Sequence, residues 1–205
     1  RLAEAGISVH TGAQAEFLGQ GRLRLAPGDE ILEVERIVTL PRLTGPSVSG
    51  LPSDAEGFLV TDGHSRVQGV PDVYAAGDLA EYDSVVHGRS LRVEHWDVAF
   101  NMGKTAALNM LGRNVNHEEI PYFFSDLADW SSMEYVGPGK GRVVVRGSMD
   151  DGDFTAFYLG DEDQVVAALT VGRSDDLEVA RGWIRDKAMP DEAALADESS
   201  DLAEL

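Results

Sequence analysis

The stretch Pro71-Asp72-Val73-Tyr74-Ala75-Ala76-Gly77-Asp78 has the residue types of a ligand site. It reads as a short buried strand that ends on Gly-Asp. Gly77 has no Cβ, so a large planar ligand can approach the backbone there. Asp78, just past the strand end, accepts hydrogen bonds from ligand hydroxyls or holds a bridging water. Open α/β sheets bind ligands at the carboxyl ends of their strands. The stretch is therefore expected to form half of a cofactor site, because nothing upstream supplies the glycine-rich phosphate loop that such a site works with.

A second chemical segment is Glu94-His95-Trp96-Asp97, at the entry of a helix expected over Glu94 to Leu111 with Asp97 as N-cap. Free N–H groups and the positive dipole end favour negative charge there. A flavin pyrimidine ring gains negative charge on reduction, so such a helix start would stabilise the reduced state. Trp96 offers an aromatic wall, unless it is a core residue at a helix entry. Phe123-Phe124-Ser125-Asp126 is either a second aromatic wall or a hydrophobic plug between domains. Other motifs carry less. Gly103-Lys104-Thr105 lacks the glycine five residues earlier that a phosphate loop needs, since Val98 stands there. Gly137-Pro138-Gly139-Lys140-Gly141 lies between two strand candidates and reads as a hairpin turn. His10, His64, His87, His95 and His117 show no metal-ligand spacing, and no metal site is expected.

These segments must be held by a framework of 205 residues, enough for one large or two modest domains. A hydrophobic content of 43% allows a proper core, and no apolar run is long enough for a membrane span. The chain has no cysteine, which excludes disulfides and dithiol chemistry within it. A net charge of −19 repels phosphate backbones, so nucleic acid is not an expected partner. No secretory signal is present, and a cytoplasmic location is expected.

Arg1 to Ala5 reads as the end of a helix with Gly6 as C-cap, so the chain is expected to be the C-terminal part of a longer protein. Strands are expected at Ile7 to Val9, Gln14 to Leu18, Arg22 to Leu25, Ile31-Leu32, Arg36 to Leu40 and Phe58 to Val60. Loops are expected over Pro41 to Pro52 and Glu81 to Arg92. The helix face Ala99, Met102, Gly103, Ala106 and Met110 is expected to pack closely on its neighbours. Arg113 to Pro121 reads as a linker. Hairpin-joined strands follow at Met133 to Val136, Arg142 to Arg146 and Phe154 to Leu159, then a strand at Gln164 to Val171. A helix capped by Ser174 comes next, and a polar tail from Asp191 runs over the surface.

Taken together, the chain resembles the C-terminal half of the FAD-dependent pyridine nucleotide–disulfide oxidoreductases, in the branch of ferredoxin reductases and apoptosis-inducing factor. The residues that carry the resemblance are Val73 to Asp78, Arg92 to Asp97 with its helix to Gly112, Pro121 to Asp126, Val143 to Gly147 with Phe157 to Leu159, and the tail Ala196 to Leu202. The resemblance implies an α/β plus α+β fold. A partial FAD/NAD(P)-binding, glutathione reductase-type region would precede a C-terminal α+β domain with an antiparallel sheet and a helix. Residues 1–44 would close the NAD(P)-binding domain, 45–112 would end the FAD-binding domain, and 113–205 would form an interface or dimerisation domain. FAD and NAD(P)H would be the cofactors. Gly77, Asp78, Glu94, His95, Trp96, Asp97 and Phe124 would line the flavin, and no residue of this chain is assigned a catalytic role. Electrons would pass from NAD(P)H through flavin to a redox protein such as ferredoxin.

Both glycine-rich dinucleotide loops of that family lie outside this chain, so the missing N-terminal half of the same protein is an expected partner, and a homodimer is among the expected assemblies. The stretch Leu40 to Pro46, with Gly57-Phe58-Leu59 and Asp62, is closer to sulfide:quinone reductases, which leaves a quinone acceptor as an alternative. A further alternative is a non-catalytic fragment that acts as a dimerisation or interaction module.

Overall fold

The computed structural model describes residues 2–127 and 131–205. The helix end expected over Arg1 to Ala5 begins on a residue outside this range, and from Leu2 to Gly6 the chain forms turns. Two compact units are present, Arg1–Leu43 and Thr44–Leu205.

The first unit is a three-stranded antiparallel meander of β1 (Gln14–Gly19), β2 (Arg22–Ala26) and β3 (Glu30–Glu33). Leu23 sits between Phe17 and Leu32 in the register. Two expected strands do not form: Ile7 to Val9 and Arg36 to Leu40 pair with nothing among the described residues. The second has the composition of a buried strand, yet Val38 is 80% and Leu40 93% exposed. A run of apolar residues becomes a strand only where neighbouring backbone satisfies its hydrogen bonds.

The second unit contains two sheets. β4 (Leu59–Thr61) runs parallel to β5 (Ala80–Ser84), which forms a hairpin with β6 (Arg89–Leu91). This hairpin replaces the loop expected over Glu81 to Arg92. Helix α1 (Trp96–Met110) packs on this sheet through a core that includes Leu59, Tyr82, Leu91, Val98 and Met102. Its buried positions are Val98, Met102, Thr105, Ala106 and Asn109, at helical spacing. Met110, expected on the packed face, is 68% exposed, because the stripe is rotated towards Val98 and Asn109.

The other sheet has five antiparallel strands in the order β7-β8-β11-β10-β9. They are β7 (Tyr122–Leu127), β8 (Ser131–Val136), β9 (Arg142–Ser148), β10 (Asp153–Leu159) and β11 (Val165–Val171). β8 and β9 are not neighbours, so Gly137 to Gly141 is a crossover to the far edge of the sheet and not a hairpin turn. The glycines are required by close backbone approach. A Cβ on Gly137 would lie 2.5 Å from the Val166 carbonyl oxygen, and one on Gly139 would collide with Val166 itself.

Helix α2 (Ser174–Asp186) covers this sheet and buries Leu177, Ala180, Trp183 and Ile184, with Phe157 against Trp183 at 5.8 Å between ring centroids. Arg173 holds the cap position, and Ser174 donates its hydroxyl to Glu134 in place of the expected capping role. Asp175 and Asp176 in the first turn and Arg185 in the last suit the helix dipole.

The polar tail does more than run over the surface. Helix α3 (Glu192–Ala196) and a 3₁₀ turn at Leu202–Glu204 bury Leu195 and Leu202 in the same core. Arg146, only 7% exposed, fastens this tail through the carbonyls of Asp197 at 2.5 Å, Ser200 at 2.9 Å and Glu198 at 3.3 Å. A buried cation costs heavily unless it is hydrogen bonded and paired, and the three carbonyls together with the Asp176 carboxylate at 4.0 Å supply both.

Candidate functional site

The Val73 to Asp78 stretch is extended but pairs only weakly. A single bridge joins Tyr74 to Arg66, with Val67 N–H on the Val73 carbonyl at 2.8 Å and Ala75 N–H on the Ser65 carbonyl at 3.0 Å. The expected buried strand is therefore only an extended arm, and Gly77 to Leu79 turn into a short 3₁₀ segment before β5 begins. Gly77 takes φ +77°, a left-handed conformation that favours glycine. This turn puts Asp78 at an exposed corner, where no described residue donates a hydrogen bond to its carboxylate.

Helix α1 starts beside that corner. A Cβ on Gly77 would stand 3.2 Å from the Ala99 Cβ, so the Gly-Asp turn lies against the first turn of α1. His95 is the N-cap in place of Asp97: its backbone is extended and its Nδ1 accepts from the Asp97 N–H at 3.4 Å. Asp97 lies inside the first turn, where its negative charge suits the dipole. Other N–H groups of a first turn have no intrahelical acceptor.

The far end of α1 is fastened to the same arm. Asn109, 3% exposed, donates to the His64 and Val115 carbonyls at 2.8 Å each and accepts from Val115 N–H at 2.7 Å. Tyr74 donates to the Asn109 carbonyl at 3.3 Å. The arm and the helix are thus held at both ends, by Gly77 and by Tyr74.

An aromatic cluster borders the helix start. The His95 ring lies 5.9 Å from Trp96, 6.0 Å from Phe123 and 5.6 Å from Phe124 between centroids, and Phe124 is 6.4 Å from Trp96. β7 supplies the phenylalanines, an element that sequence reading did not assign as a strand. Trp96 is 59% and Phe124 38% exposed. Large contiguous exposed aromatics mark ligand or partner surfaces. Behind them, Tyr122 donates to Glu134 at 2.7 Å, and burial followed by that carboxylate pushes its hydroxyl up to about 12. It stays protonated as a fixed donor.

Six of the seven residues expected at the site thus sit around one end of α1: Gly77, Asp78, His95, Trp96, Asp97 and Phe124. Glu94 is differently engaged. Its carboxylate pairs with Arg92, whose guanidinium lies over the Phe58 ring at 4.0 Å. Ala99, the residue that brings the two halves together, was visible only as one small residue on a small-residue helix face. Asn109 carried no sequence signal.

The arrangement joins an exposed carboxylate at Asp78, a helix start that favours negative charge and exposed aromatic rings, while the bare side of Gly77 faces Ala99 and not open space as expected. Among the described residues no group of three His, Asp or Glu side chains could hold a metal ion, and no helix is long and apolar enough to cross a membrane.

Comparison with known proteins matches two families. Residues 1–103 match pyridine nucleotide-disulphide oxidoreductase, and residues 122–205 match the reductase C-terminal family. The ferredoxin–NAD(+) reductase component of the anthranilate 1,2-dioxygenase system of Burkholderia cepacia is 33% identical, over 91% of this chain and 48% of that protein. Putidaredoxin reductase of Pseudomonas putida is 30% identical, over 98% of this chain and 50% of its own. The solved covalent putidaredoxin reductase–putidaredoxin complex superposes with a TM-score of 0.86 at 27% identity, over 98% of this chain and 50% of that chain. The chain spans about half the length of these relatives.

Proposed function

Because the chain belongs to the pyridine nucleotide-disulphide oxidoreductase family, we propose that it forms the C-terminal part of an FAD-dependent NAD(P)H oxidoreductase that passes electrons to a ferredoxin or similar redox protein. In this reading residues 1–44 close the NAD(P)-binding domain, 45–112 end the FAD-binding domain, and 113–205 form the interface domain. The observation that carries the reading is the contact of the Gly77 corner with Ala99, beside the start of α1.

FAD, when bound, would supply the exchange between two-electron and one-electron chemistry, while the protein supplies position and electrostatics. Asp78 would accept hydrogen bonds from the ribityl hydroxyls or hold a water to the phosphates. Gly77 would let the corner close on Ala99 and so set Asp78 beside the start of α1. The first turn of α1, with His95, Trp96 and Asp97, would face the pyrimidine side, where its dipole favours negative charge by about 0.3–1 kcal/mol. Phe124 and Trp96 would cover the ring and limit water. Glu94, through Arg92, would fix the strand that leads into the helix.

The test is turnover of the flavin-loaded whole protein with NADH and NADPH, using a ferredoxin and a quinone as alternative acceptors. Nicotinamide-dependent reduction of the ferredoxin supports the reading. Turnover with quinone alone would replace it with the quinone reductase alternative, and protein without flavin absorbance would contradict both.

A further inference from the structure

A cavity of about 450 Å³ lies where the β5–β6 hairpin meets the C-terminal sheet, away from the aromatic cluster. Its size is that of a small-molecule pocket. Its apolar walls include Val86, Val166 and Ile184, and its polar side chains are His87, Arg89, Lys187, Gln164 and Glu162. Arg89 is held by the Pro138 carbonyl at 2.9 Å, which ties the hairpin to the crossover loop. No described carboxylate lies within ion-pair distance of Arg89 or Lys187. Two unpaired cations beside one cavity are unexpected in a chain with a net charge of −19.

His87 adds a directional donor. Ser84 Oγ accepts from the His87 backbone N–H at 3.3 Å and lies 2.9 Å from His87 Nδ1. In the tautomer where the Ser84 hydroxyl donates to Nδ1, the ring proton is on Nε2. Nε2 is buried and has no partner among the described residues. Burial, then the charges of Arg89 and Lys187, lower the His87 pKa to about 4, so the ring is neutral with a single N–H near pH 7.

We propose that this cavity binds a small organic monocarboxylate with an apolar body, its head group taken by Arg89, Lys187 and the Nε2–H of His87. The apolar walls fit a hydrocarbon or aryl body, and inorganic phosphate would leave them unused. Glu162 disfavours a dianion. Because the hairpin and the C-terminal sheet share the lining, a bound ligand touches both.

The test uses benzoate as probe on the 205-residue chain, followed by the His87 ring resonances and by calorimetry. A saturable shift at His87 is expected, with affinity falling roughly tenfold in Lys187→Asn through the loss of one charge-assisted bond. Asn tolerates the left-handed backbone at this position, φ 53°, so that variant remains folded. Arg89→Gln should weaken binding similarly, with near-UV circular dichroism as a check on the hairpin. Benzamide, the neutral analogue, should not bind. Absence of a saturable shift, unchanged affinity in Lys187→Asn, or phosphate binding as tightly as benzoate would each overturn the proposal.

Discussion

Gly77 and Ala99 approach so closely that a Cβ on Gly77 would lie 3.2 Å from the Ala99 Cβ. This contact joins two segments 22 positions apart in sequence, by subtraction of their numbers, and makes one corner of them. Gly77 is also left-handed at φ +77°. Gly77→Ala therefore meets backbone strain and a tight neighbour together. The expected loss is about 1–2 kcal/mol for the backbone alone. Urea unfolding measures it, and Gly103→Ala, at a helical position open to solvent, serves as a control that should not destabilise.

Asn109→Ala removes three hydrogen bonds and leaves the carbonyls of His64 and Val115 without their buried donor. A loss of about 2–3 kcal/mol is expected. Amide exchange should show the segment around Val115 opening before the rest of the second unit. Protection there equal to wild type would contradict the anchoring role.

Arg146→Met fills similar space but deprives the carbonyls of Asp197, Glu198 and Ser200 of their donor. With about 1 kcal/mol or more at stake for each group, the tail should detach before global unfolding. A protease specific for glutamate should then cut at Glu198 faster than in the parent chain. Equal cutting rates would show that Leu195 and Leu202 hold the tail without Arg146.

Much of this was legible in the sequence, for identifiable reasons. Apolar patterns with turn residues between them located β2, β10, β11 and α2. The Gly-Asp corner and the His-Trp-Asp helix entry were also legible, since their chemistry is local. What could not be read depends on partners distant in sequence. Arg36 to Leu40 has the composition of a buried strand, but no described strand pairs with it. Gly137 to Gly141 has the composition of a hairpin turn, but strand order makes it a crossover. Arg146 alternates inward with Val144, and the tail 51 positions later, with Asp176 on α2, explains how the cation is tolerated.

Acid should destabilise the second unit. Burial lowers the His117 pKa and, with the charges of Arg89 and Lys187, holds that of His87 near 4. Both are depressed below the unfolded value of about 6.5, so the unfolded chain binds more protons in the interval. The stability from these neutral rings is present above about pH 6.5 and is lost as pH falls through their folded values, about 4 for His87. Urea midpoints measured across that range should decline, and His87→Gln should flatten part of the slope. A midpoint independent of pH would contradict the burial of these rings.

The central claim is that the Gly77–Asp78 corner beside α1 holds the flavin. It is tested most directly by FAD titration of the whole protein carrying Asp78→Ala, with Asp161→Ala on a remote exposed turn as control. The account predicts weaker binding by about 1–3 kcal/mol for Asp78→Ala, as for a lost charged hydrogen bond, and no change for the control. Unchanged FAD affinity in Asp78→Ala would contradict it.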